Sequence, residues 1–122
     1  MMKQYEVEFY EDEQGFCPIA DWIRELDRVN SKENRSMLRK VYFQIERLEN
    51  EGAGVGEPVV KRLDEDIWEL RPIPNRIFFG VMKGKRIVLL HHFRKKSQKT
   101  PSHEIEQAKR EFKSWLKRGE KI

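Results

Sequence analysis

The chain holds one cysteine, Cys17, among 122 residues. It can form no internal disulfide and no zinc site built on paired cysteines. Such usage fits a reducing compartment. Only three histidines occur, and there is no H-E-x-x-H pattern. There is no glycine loop of the kind that cradles nucleotide phosphates. The glycines at 52, 54 and 56 follow no strand and open no helix, so they read as a flexible loop. No window approaches the apolar length of a membrane span. The stretch "MMKQYEVEFYEDE" lacks the apolar core of a secretory signal. A cytoplasmic protein without membrane contact, metal or cofactor is expected.

The most informative absence is of acid. Between Leu70 and His103 there is no Asp or Glu, while nine bases occur: Arg71, Arg76, Lys83, Lys85, Arg86, Arg94, Lys95, Lys96 and Lys99. Residues 1–60 hold 8 Lys/Arg and 13 Asp/Glu, whereas residues 61–122 hold 17 and 8. A contiguous field of one sign draws phosphate and raises encounter rates, so a polyanion such as RNA is the expected partner. These bases are the candidate RNA contacts.

What is present is enough for a globular fold. Hydrophobic residues make up 38% and aromatics 11%, and a chain of this length forms one domain, 1–122. "QYEVEFYED" alternates as a half-buried strand, with Tyr5, Val7 and Phe9 on one side. Pro18 suits a first helical turn, and Ile19, Trp22, Ile23 and Leu26 follow as one stripe. Asn30-Ser31 caps a second helix, whose inward stripe is Leu38, Val41, Tyr42, Ile45 and Leu48. "VVKRL", "DIWELRP", "RIFFGVM" and "RIVLLHHF" then read as consecutive strands of an antiparallel meander. Thr100-Pro101 opens a last helix with Ile105, Ala108, Phe112, Trp115 and Leu116 inward, and Gly119 is its stop. The expected class is α+β: a small twisted antiparallel sheet, two helices in the N-terminal half and one at the C-terminus, mainly on one face.

The hairpin around "MKGKR" sets the chemistry. A two-residue loop places Arg76 opposite His91, and a three-residue loop places it opposite His92. Adjacent residues on a strand face opposite ways, so in either register one histidine shares a face with Arg76, at about 5 Å between Cβ atoms. Arg71 can join them. Two arginines and a histidine without an acidic partner in their own segment call for an anion among them; the alternative is that Arg71 and Arg76 are surface strand residues paired with Glu69 or Glu65. RNA cleavage fits: a 2′-hydroxyl attacks the adjacent phosphate, arginine forks neutralise the phosphorane, and a histidine or lysine moves the proton.

The residues "VKRL", "WELR", the arginine opening the next strand, "IVLLHHFRKKSQKTP" and "EIEQA" together resemble the RelE/HigB superfamily of toxins, and within it the phage-derived HigB-like branch. The resemblance implies a RelE-like fold and a type II toxin that cuts mRNA in the ribosome without metal, blocked by a small antitoxin, often a helix-turn-helix protein. It implies that Arg71 and Arg76 contact the phosphate, that Lys96 with Lys95 forms the basic pair at the hairpin's end, and that Lys61, the base of the first meander strand, is a further RNA contact. Relatives often carry a tyrosine or acid near the C-terminus. Here the end is "FKSWLKRGEKI", without tyrosine, so His91 and His92 join the catalytic candidates. Two alternatives stand beside the nuclease: a gyrase-directed protein-binding poison on the same scaffold, and a non-catalytic RNA- or ribosome-binding module.

Overall fold

Two kinds of strand decide how the layers stack. β1 (Glu6–Phe9) alternates polar and apolar residues, whereas β4 (Asn75–Met82) and β5 (Arg86–Arg94) carry apolar residues at successive positions. An alternating strand buries one face, and an unbroken apolar strand is buried on both. The structure, a computed structural model that describes residues 3–119, follows that rule. One core lies between the sheet and the helices α1 (Pro18–Arg28) and α2 (Lys32–Glu51). It gathers Ile77, Phe79, Ile87 and Leu89 with Ile19, Val41 and Leu48. A second core lies under α3 (Ser102–Gly119), where Phe78, Met82, Val88 and Leu90 meet Ala108 and Phe112. The expectation that the helices gather mainly on one face is therefore corrected. The central hairpin is apolar on both sides and needs a cover on each.

The strand order is β1-β5-β4-β3-β2, with β2 at Val60–Arg62 and β3 at Trp68–Leu70. The class is α+β as expected, and β2 to β5 form the expected antiparallel meander. β1 joins the free edge of β5 in parallel, Val7 beside Ile87 and Phe9 beside Leu89. The sheet is thus mixed rather than wholly antiparallel. Alternation marks β1 as half-buried but carries no information about the direction of its neighbour.

Local chemistry sets the helix limits. Pro18 opens α1. The Ser31 hydroxyl accepts a hydrogen bond from the Asn34 amide at 3.1 Å and caps α2. Gly52, at φ 62°, ends α2, and a Cβ there would stand 2.5 Å from the Tyr5 ring. Tyr42, expected in the inward stripe of α2, is 55% exposed. It lies about 100° round the helix from buried Val41. At Gly80 a Cβ would stand 2.5 Å from the Phe112 ring, so the missing side chain lets α3 approach β4 closely. α3 runs to Gly119, its expected stop, and residues 120–122 lie outside the described residues.

The hairpin turn is three residues long. Met82 pairs with Arg86, and Gly84 and Lys85 both take positive φ. The register then shifts: Phe79 pairs with Leu89, but Ile77 pairs with His92. β5 thus sets Leu90 and His91 against Phe78 alone, which is a β-bulge. The bulge moves Arg76 opposite Phe93, so neither expected partner, His91 nor His92, faces it.

Candidate functional site

Adjacent strands bring the two arginines together. Trp68 and Leu70 of β3 turn into the α1–α2 core, so Glu69 and Arg71 turn to the α3 face. Glu69 pairs with Phe78, which belongs to the α3 core, and Arg76 lies two residues before Phe78 on that same face. Glu69 is completely buried. Its Oε2 accepts from Arg71 Nε at 3.3 Å, and its Oε1 lies 3.5 Å from Arg76 Nε. Thr100 Oγ1 donates to Oε1 at 3.5 Å. The arginine side chains are only 17% and 11% exposed.

The anion that like charges on this face call for is therefore a residue of the protein. Glu69 stands one position outside the acid-free segment, and the pairing with it that the sequence allows is found, but buried rather than on a surface. The signal was available: its alternation already put it on Arg71's side of β3. A buried carboxylate without partners costs several kcal/mol, and two guanidinium groups and a hydroxyl offset that here. Burial pushes the Arg76 pKa down, Glu69 pulls it back up, and Arg71 beside it pushes it down again. Arginine stays charged throughout.

The loop between β3 and β4 is held from both sides. Gln44 Nε2 donates to Arg71 O and Lys40 Nζ to Ile73 O, each at 3.1 Å, both from α2. From the other side, the Lys95 amide donates to Pro74 O at 3.1 Å. The end of β5 is thereby fastened beside Arg76, and Lys95 and exposed Lys96 lie at the same end of the sheet as the arginines. Lys61 pairs with Glu69 across β2 and β3 and shares its face. The exposed Lys99 lies in the same loop, where its carbonyl accepts from Ser97 Oγ at 3.0 Å.

Other candidates fall elsewhere. Lys83, Lys85 and Arg86 sit at the turn, at the far end of β4 from Arg76, about 20 Å away at the rise of a strand. Arg86 is engaged by Glu8, with Nη2 3.0 Å from Oε1. Arg94 pairs with Asn75 at the arginines' end of the sheet but on the α2 face, where Asn75 meets Met37.

The expectation that a histidine joins the arginines is also corrected. His92 lies on the α1 face, its ring stacked on Trp22 at 4.0 Å and 10°. Burial, and then the neighbouring His91, lower its pKa to about 4. His91 is on the arginines' face but is enclosed under α3. Its Nδ1 is 2.6 Å from Glu111 Oε1 and its Nε2 is 3.5 Å from Glu104 Oε2. The Phe78 ring stands edge-on to it, with centroids 5.1 Å apart. This histidine fastens β5 to α3. Sequence reasoning missed Glu104 and Glu111 as its partners, although both fall on the helix face of Ala108.

Among the described residues no group of three His, Cys, Asp or Glu is placed to hold a metal ion, and no helix is long and apolar enough to cross a membrane. The family described as phage-derived protein Gp49-like (DUF891) matches residues 21–113. A search of curated proteins finds no match. Among solved structures the chain is similar to the archaeal RelE–RelB complex from Pyrococcus horikoshii OT3. Identity is 20%, the match covers 75% of this chain and 94% of that one, and the TM-score is 0.51. At that identity the likeness speaks to fold, and the fold is RelE-like.

Proposed function

The chain belongs to the phage-derived Gp49-like family, and from that membership and its RelE-like fold we propose that it is the toxin of a toxin–antitoxin pair, acting by cutting mRNA on the ribosome. The observation that carries this reading is the pair Arg71 and Arg76, presented from neighbouring strands and held by one buried carboxylate. Lysines at 95 and 96 stand at the same end of the sheet. A solvated surface has no need to hold two guanidinium groups this way, whereas a phosphate that gains charge in its transition state does.

In the reaction we propose, the RNA 2′-oxygen attacks the adjacent phosphorus and gives up its proton to solvent water. The bond from phosphorus to the 5′-oxygen breaks, and the leaving oxygen takes up a proton. The products are a 2′,3′-cyclic phosphate and a 5′-hydroxyl. Arg71 and Arg76 face the phosphorane oxygens. Lys96, at an exposed position, serves as proton donor to the leaving oxygen. Lys61, Lys95 and Lys99 contact flanking phosphates. Neither histidine is given a catalytic role. His92 lies on the other face of the sheet, and His91 is enclosed by two carboxylates and Phe78. No step needs a metal or cofactor.

The same reading implies a partner. The similar structure is a complex of RelE with RelB, and we propose that this chain likewise has a cognate antitoxin, a small helix-turn-helix protein. The test is induced expression in a bacterial host. Wild-type protein halts growth and translation, and Arg76→Ala, accumulated to the same level and folded, does not. Full growth arrest by Arg71→Ala, Arg76→Ala and Lys96→Ala alike would refute the nuclease assignment.

A further inference from the structure

We propose that Glu69 is the positioning residue of the phosphate site: it grips Arg71 and Arg76 by their Nε edges, so that the outer ends of both guanidinium groups face one phosphodiester. The inference rests on reading those two arginines as the phosphate-facing pair. A counter-charge that only balanced the basic segment would work from any point near it, and an exposed acid would suffice. Glu69 instead is fully buried, within a strand, and is contacted from β4 and from the loops that follow β3 and precede α3. Both arginine contacts run through Nε, the edge nearest the strands: Arg71 Nε donates a hydrogen bond at 3.3 Å, while Arg76 Nε, buried without a hydrogen-bond partner, is held by charge at 3.5 Å. Arg76 Nη1 is also fixed, by the Asn75 carbonyl at 3.0 Å. Arg71, held at its inner edge, keeps its outer edge for an oxyanion, Arg76 keeps Nη2, and a fork so held loses little freedom when it binds. Thr100 brings in a further element. Its hydroxyl ties the same carboxylate to the residue before Pro101 and α3. Glu69 therefore links the "WELR" strand to the "KKSQKTP" loop, which carries Lys95 and Lys96.

The test compares wild type with Glu69→Gln, which keeps the side chain's size, and Glu69→Asp, which keeps its charge. Folding of each is checked by circular dichroism. Single-turnover cleavage of ribosome-bound mRNA at saturating protein is measured beside the binding of inorganic phosphate. Displacement of a positioned group by about 1 Å is enough for a roughly hundredfold loss in rate. The expected result for Glu69→Gln is such a loss with phosphate bound at least as tightly, because a negative charge has left the site. Glu69→Asp recovers part of the rate. Unchanged or faster cleavage by folded Glu69→Gln overturns the proposal, and so does parallel loss of rate and phosphate affinity. If wild type cuts no RNA, the nuclease reading fails by itself, and the positioning is then read by NMR. In wild type the Arg71 and Arg76 Nε–H signals exchange slowly and shift together with phosphate. In Glu69→Gln, or in Glu69→Asp if Gln does not fold, that protection is lost. Protection equal to wild type overturns the inference.

Discussion

Replacing His92 by Phe should remove a large part of the protein's acid sensitivity. His92 stacks on Trp22, and its Nδ1 is buried without a hydrogen-bond partner. Its pKa falls from 6.5 to about 4, through burial first and His91 second. The sign is set by where the proton goes. As pH drops below 6.5 the unfolded chain takes up this proton, while the folded chain takes it up only near 4. Stability is whole above about pH 6.5 and is lost progressively down to about pH 4, below which the loss is constant. Linkage between those two values, discounted for the partly exposed ring, gives a loss of about 2 kcal/mol between pH 7 and pH 4.5. Phe keeps the flat ring against Trp22 and has nothing to protonate. Urea unfolding of wild type and His92→Phe at both pH values measures the difference. The carboxylates titrate alike in the two proteins and cancel. The variant should unfold at similar or higher urea at pH 7, and its loss on acidification should be smaller by about 2 kcal/mol. An equal acid loss in both would refute the burial argument for His92, and with it the placing of this ring against Trp22.

Three other substitutions probe the packing and the basic surface. Gly80→Ala puts a methyl group where the Phe112 ring stands, so it should destabilise by about 1–3 kcal/mol in chemical denaturation. An unchanged midpoint would mean that α3 does not pack as described. Lys83→Ala combined with Lys85→Ala alters bases at the far end of the hairpin. It should leave the cleavage rate at saturation unchanged and weaken only the salt-dependent encounter, which stopped-flow binding at two salt concentrations would detect. Lys96→Ala, at an exposed position, should lower cleavage about 10²–10⁴-fold with no change in thermal midpoint.

How much of this was legible from the residues varies with the physics involved. Each α-helix and strand was marked by a local rule: alternation for β1, Pro18 and Ser31 at helix starts, and a change of period after Pro58; the glycines read as a flexible loop instead form a short 3-10 helix, Gly52–Val55. The layering needed more. That β4 and β5 are buried on both faces was written in "RIFFGVM" and "RIVLL", whose apolar residues do not alternate, but the helices were still assigned mainly to one side. The end of the hairpin was not legible. A single extra residue in β5 shifts Arg76 from the histidines to Phe93, and no propensity marks that bulge. Arg71 and Arg76 were found by their charge and their strands. Glu69 was legible as a partner of the two arginines, because alternation puts it on Arg71's side of the strand, but its complete burial was not, because that depends on the cover that α3 supplies. His91 and His92 were chosen for their chemistry. Burial, which decides whether such chemistry is available, depends on α1 and α3, elements remote in sequence.

The most direct test of the account is cleavage mapping on translating ribosomes with purified protein. Wild type should produce discrete mRNA cuts bearing 5′-hydroxyl ends. Folded Arg76→Ala should cut more slowly by about 10²–10³-fold, the worth of one transition-state donor. Cutting by folded Arg76→Ala at the wild-type rate, or no cutting by wild type at all, would contradict it.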